Sequence, residues 1–168
     1  DHGTDVALSV DGVPVNLVSH GHGQGYADLS FVIPETIQRL EVKKGPYFAD
    51  SGDFATAGAV DLVTRGTIEA NAVSVSGGAY AAPQFFRQPA LSSRLLVMAS
   101  PAPASASFFA GDVAYTDGPF ENRERYLRFN LLGKVPVDLG DSGNVVVTAM
   151  SSGGGWNGSG QLPLRAVD

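Results

Sequence analysis

The sequence predicts a β-rich chain in two parts. Residues 1–66 read as a small α+β segment, and residues 67–168 as about five antiparallel β-strands of the kind that build a transmembrane β-barrel. Three observations carry this. An Asp-Gly pair near the start separates two alternating runs. A proline-initiated turn leads into a second alternating run closed by Gly45-Pro46. The rest of the chain repeats alternating segments joined by connections that are by turns long and short.

The first element is "VALSVDGVPVNL". Asp11-Gly12 is a strong signal for a two-residue type I′ turn. Folding there sets Val10 against Val13, Leu8 against Val15 and Val6 against Leu17 on an apolar face. Ser9 then meets Pro14, and Ala7 meets Asn16, on the other. In "IPETIQRLEVKKGPY", Pro34 and Glu35 predict a short helical turn over Pro34 to Gln38. "RLEVKKG" then alternates, with Leu40 and Val42 on one side and Arg39, Glu41 and Lys43 on the other. "SGDFATAGAVDLVTRG" gives a glycine-bounded turn and a strand from Ala59 to Arg65.

These residues resemble the second half of the plug domain of TonB-dependent outer-membrane receptors. The resemblance rests on Asp11-Gly12, Ile33-Pro34, Arg39 to Val42, Lys44 to Pro46 and Gly52 to Thr64, in that order and spacing. It implies that transmembrane strands follow the plug. Such strands need about 9–11 residues, apolar toward lipid and polar toward the lumen. "YLRFNLLGKVPV" fits best: Leu127, Phe129, Leu131, Val135 and Val137 share one parity, and Arg128, Asn130 and Lys134 the other. "AVSVSGGAY", "SRLLVMAS", "SFFAGDVAYTD" and "NVVVTAMS" alternate likewise. The connections read as long (Ala81 to Ala90), short ("PAPAS"), longer ("GPFENRER"), short ("LGDSG") and long ("SGGGWNGSGQLP"). Tyr80, Tyr115, Phe120 and Tyr126 fall near strand ends, where an aromatic girdle would lie. A soluble β-sandwich also alternates, but typically with shorter strands.

A receptor of this family closes about 22 strands around its plug. With room for about five, and with no signal peptide, energy-coupling box or first plug half in view, the chain is expected to be an internal piece whose barrel is incomplete. The resemblance then implies a part of a receptor for energised uptake of a bulky solute, such as an iron chelate or cobalamin. It would lie in the outer membrane of a Gram-negative bacterium, with lipid, the TonB energy-coupling complex and a small-molecule solute as partners. The rival expectations are a soluble β-rich binding or adhesion module and a non-functional truncated receptor.

Composition excludes other classes. A formal net charge of −6 offers no basic stripe for nucleic acid. The absence of cysteine removes disulfides, thiolate metal sites and a cysteine nucleophile. No nucleophile elbow, phosphate-binding loop or dinucleotide fingerprint stands in the chain, so no enzyme activity is expected. His20 and His22 stand at i, i+2 in a glycine-rich run and would need further ligands, Asp28 or His2, to hold a metal, so neither metal nor cofactor is assigned. The run also reads as a polar mobile loop. The resemblance adds a third reading, in which this loop reaches the plug apex and His20, His22, Gln24 and Tyr26 touch solute. Arg39, Glu41 and Arg65, on polar strand faces, are expected either to meet lumen-facing charges of the barrel such as Arg94, Asp112, Arg128 and Lys134, or to be solvated.

Overall fold

The computed structural model describes residues 5–80, 89–102, 105–120, 122–158 and 160. The chain divides into two compact units, Asp1–Gly66 and Thr67–Asp168.

The first unit is built on a mixed four-stranded sheet. Its strands are β1 (Val6–Val10), β2 (Val13–Pro14), β3 (Ile37–Lys44) and β4 (Gly58–Thr64), in the order β2-β1-β4-β3. Asp11 and Gly12 take φ of 49° and 78°. Two consecutive positive φ values make the type I′ turn that Asp-Gly favours. The predicted register holds at Ser9–Pro14 and Val10–Val13. It does not continue to Leu17. After Val15, which donates its N–H to the Leu8 carbonyl, the Asn16 side chain replaces the ladder, accepting from the Leu8 N–H at 2.6 Å and donating to the Val6 carbonyl at 3.1 Å. The backbone of Leu17 is committed elsewhere, to Tyr26 and Gly25.

β1 also pairs in parallel with β4, Val6 beside Gly58 through Val10 beside Leu62, a pairing that needs a long crossover. Val10 and Leu62 are buried on the apolar face. Side chains fasten the turn to β4. The Asp11 carboxylate accepts from the Thr64 N–H (2.7 Å) and hydroxyl (2.5 Å), and Asp61 Oδ1 accepts from the Ser9 hydroxyl and the Gly12 N–H.

The helical turn is shorter than Pro34 to Gln38. It is a single 3-10 turn, Pro34–Thr36, because Ile37 already pairs with Thr64 at the head of β3. β3 and β4 run antiparallel. At their far end Gly58 has φ +147°, and a Cβ there would stand 2.3 Å from the Lys43 carbonyl oxygen, so the crossing backbones admit only glycine.

The second unit is an antiparallel meander of β5 (Ala72–Tyr80), β6 (Ala90–Ala99), β7 (Phe108–Thr116), β8 (Tyr126–Asp138) and β9 (Asn144–Gly155), in sequence order. Among the described residues it is an open sheet with β5 and β9 at its edges. Every register pairs odd with odd and even with even, so one parity holds one face across all five strands. The odd face carries Val73, Leu95, Val113, Phe129, Leu131 and Val147, all exposed. Of the large apolar side chains exposed on these strands, only Tyr80 and Val146 leave that face. All charged residues of the strands, Arg94, Asp112, Arg128, Lys134 and Asp138, are even-numbered. Leu96, Met98, Phe108, Ala110 and Leu132, also even-numbered, are buried.

Two expectations about the connections change. The glycine run from Gly153 to Gly155 is strand, not loop, and pairs with Leu127 to Phe129. A Cβ at Gly153 would lie 2.7 Å from the Phe129 ring, and one at Gly154 would lie 2.8 Å from the Leu127 carbonyl oxygen, so glycine here makes room for β8. The proline-containing connection also spans residues 100–107, nearly as long as 117–125, so the short–long alternation is weaker than the strand pattern predicts. Most of the connection expected at Ala81 to Ala90 lies outside the described residues. No helix among the described residues is long and apolar enough to cross a membrane.

Candidate functional site

The histidine loop grows directly from the hairpin. Leu17 donates its N–H to the Tyr26 carbonyl and accepts from the Gly25 N–H, both at 2.8 Å, closing residues 18–25 into a compact loop. Asn16 Nδ2 donates to the Gly25 carbonyl as well, so one amide ties the loop's exit to β1. Within the loop, Gly23 N–H returns to the His20 carbonyl, and the His22 N–H donates to His20 Nδ1 at 3.1 Å. That bond leaves the ring proton of neutral His20 on Nε2.

Three of the four expected solute-contact residues come together. His20 stacks on Tyr26 with centroids 4.4 Å apart and planes 12° from parallel. His22 stacks on His20 at 5.2 Å and tilts toward Tyr26 at 5.7 Å. His20 and His22 are exposed, so the stack forms an aromatic platform with imidazole edges as hydrogen-bonding groups. Gln24 is exposed in the same loop and has no ring to add to the stack. Among the described residues no group of three or more metal-ligating side chains gathers. The local signal for this platform was the residue set itself. The residue that sequence reasoning missed is Asn16, which reads as an ordinary hairpin position.

Several of the charges expected to join the two parts have a partner inside their own unit. Arg39 Nη2 meets Glu41 Oε1 at 2.6 Å along one strand face, with both side chains about half exposed. Arg65 Nε donates to the Glu35 carbonyl at 2.9 Å. In the second unit Arg94 Nε and Arg128 Nη2 approach the same oxygen, Asp112 Oδ2, at 2.7 and 3.5 Å, and the Asp112 side chain is fully buried. At one end of that sheet Asp117 caps the β7–β8 connection. It accepts from the Leu91 N–H and the Tyr115 hydroxyl and pairs with Arg123. The Leu91 N–H, the Tyr115 hydroxyl and Arg123 together hold its carboxyl below the usual carboxylate range. Tyr126 and Trp156 meet edge to face at 6.0 Å near the same end.

Residues 2–59 match the family model of the TonB-dependent Receptor Plug Domain. The match covers about a third of the chain and supports a fragment of a TonB-dependent receptor. The matched stretch takes in the Asp-Gly hairpin, the histidine loop, the Pro34 turn, β3 and the first two residues of β4. His20, His22, Gln24, Tyr26, Arg39 and Glu41 of the plug therefore lie inside it, and Arg65 lies beyond it. A search of curated proteins finds no match to the chain.

Proposed function

We propose that residues 67–168 are the first strands of an outer-membrane barrel, and that the receptor takes up a bulky solute in a Gram-negative bacterium. One observation supports this above the others: the large apolar side chains exposed on β5–β9 lie on the odd-numbered face, save Tyr80 and Val146, and every strand charge falls on the even-numbered face. A soluble sheet would bury such an apolar face against a second layer. A barrel wall turns it to lipid. The strands run from 9 to 13 residues, long enough to cross when tilted.

In this reading the His20–His22–Tyr26 stack, with Gln24 beside it, is where the solute first meets the plug. A flat aromatic platform edged by imidazole nitrogens suits a polar ligand with planar or apolar parts, of which iron chelates and cobalamin are two examples. Arg39, Glu41 and Arg65 act as charges that hold the plug within the barrel until the TonB energy-coupling complex engages the receptor. The test is fractionation of cells that make the full-length protein. The protein is expected in the outer membrane, and on unheated gels it should migrate as a compact barrel that slows after boiling. Recovery as a soluble monomer with cooperative unfolding would overturn the reading. With the location established, His20→Ala and Tyr26→Ala should lower solute uptake at unchanged membrane levels.

A further inference from the structure

We propose that the first unit is a tension-bearing clamp. Chain tension that enters before Val6 and leaves after Thr64 is carried across the β1–β4 seam, so the histidine loop stays folded while the receptor is energised. The proposal rests on the receptor reading above, in which the energy-coupling complex acts on the plug.

The topology sets the load path. β1 and β4 pair in parallel, from Val6 beside Gly58 to Val10 beside Leu62. The chain enters this seam at Val6, at one end of the sheet, and leaves it at Thr64, at the other. Tension between those two points slides the strands lengthwise past one another. Bonds between parallel strands are evenly spaced, so sliding loads every pair from Val6–Gly58 to Val10–Leu62 together. Peeling would break the same pairs one at a time. A slip of one residue would also turn the buried Val10 toward the opposite face of the sheet.

Side chains and loop backbone stitch the seam at both ends. Just before Val6, the Asp5 carbonyl accepts from the Ala57 N–H, and Asp5 Oδ1 accepts from the Thr56 hydroxyl. At the far end the Asp11 N–H donates to the Leu62 carbonyl, while its carboxylate accepts from the Thr64 N–H and hydroxyl. Between them, Asp61 Oδ1 accepts from the Ser9 hydroxyl and the Gly12 N–H. Bonds to a carboxylate are about twice as strong as neutral ones.

The seam closes off everything between its strands. β2, the histidine loop, the Pro34 turn and β3 all belong to the crossover that joins β1 to β4. While the seam holds, tension passes from β1 directly to β4 and none reaches His20, His22 or Tyr26. The ring stack therefore outlasts any pull that leaves the seam intact.

The test is optical-tweezer pulling on the detergent-extracted full-length protein through pairs of cysteine handles. This chain has no cysteine of its own, and any elsewhere in the receptor is replaced by serine. Thr4→Cys with Gly66→Cys loads the seam lengthwise. Val13→Cys with Gly66→Cys pulls it open from one end; Val13 is exposed, and a Cβ at Gly66 meets open space. Lengthwise loading is expected to hold to roughly twice the end-on force or more. It should then release the whole intervening chain, roughly 200 Å, in one step. Asp11→Ala and Asp61→Ala should each shorten the lifetime at constant lengthwise force about tenfold or more, since each removes bonds to a charged acceptor. Asp61→Asn, which keeps an oxygen acceptor and guards against misfolding, should retain part of that lifetime. Equal forces along the two axes, release of the crossover before the seam breaks, or unchanged lifetimes in both alanine variants would overturn the proposal. Failure of the same protein to fractionate with the outer membrane would overturn the receptor reading instead. Correct fractionation with equal forces defeats this inference alone.

Discussion

Leu131→Arg separates a lipid-facing wall from a soluble sheet. Leu131 is sixth of the 13 residues of β8, on the odd face, and 54% exposed. A strand of that length tilted by ~45° rises roughly 28 Å, which sets Leu131 about 12 Å along it, close to the middle of a hydrocarbon layer. Arginine at that depth costs about 2–4 kcal/mol, and near the interface about 0–1 kcal/mol. Val137, twelfth in the same strand and on the same face, supplies the interfacial control. If water covered this face, either substitution would lie within about 0.5 kcal/mol of wild type. The assay is urea unfolding of the full-length protein from phospholipid vesicles. Leu131→Arg should reduce the folding equilibrium roughly 30- to 1,000-fold, and Val137→Arg by about fivefold at most. Equal, small costs at the two depths would refute the assignment of this face to lipid, and with it the barrel.

The remaining expectations concern both units. Gly58→Ala places a Cβ against the Lys43 carbonyl at positive φ and should cost about 3 kcal/mol or more; a denaturation midpoint unmoved by the change would contradict the close crossing of β3 and β4. Asp117 has a folded pKa below its unfolded value, so its contribution is fully present above about pH 4 and is lost as pH falls through the lowered folded pKa. Asp117→Asn should therefore flatten the acid limb of stability against pH, and identical limbs for variant and wild type would count against the cap. Arg39→Ala or Glu41→Ala in the full-length receptor should alter plug release or expression, and unchanged uptake together with unchanged stability would sink the plug-locking role.

Local periodicity made some of this legible in the sequence. The Asp11-Gly12 turn fixes its own two flanking pairs, because turn geometry and strand alternation act within a few residues. The faces of β5–β9 were legible for the same reason, since one parity per strand suffices when every connection preserves it. The parallel pairing of β1 with β4 was not legible. It joins residues about fifty positions apart, and neither strand's pattern specifies the other. The glycine run from Gly153 to Gly155 misled because glycine usually marks a loop. Here its cause is the Phe129 ring and Leu127 carbonyl on the neighbouring strand, which appear only once β8 and β9 are paired.

The histidine loop shows how these two kinds of information combine. Its composition alone is that of a flexible segment, and glycine at three of its positions would ordinarily make ordering it costly. Yet its ends are bonded at Leu17, Tyr26 and Gly25, and Asn16 links the exit to β1. β1 lies between β2 and β4 in its sheet, and the neighbouring turn is fastened to β4 through Asp11 and Asp61. The loop is thus anchored to the interior of a sheet, and its three rings are already stacked before any ligand arrives. A solute meeting this platform avoids part of the ordering cost that a mobile loop would impose. Removing the anchor rather than the rings isolates that effect. Asn16→Ala should weaken solute binding while His20, His22 and Tyr26 remain, and full affinity in that variant would show that the stack orders itself without the sheet.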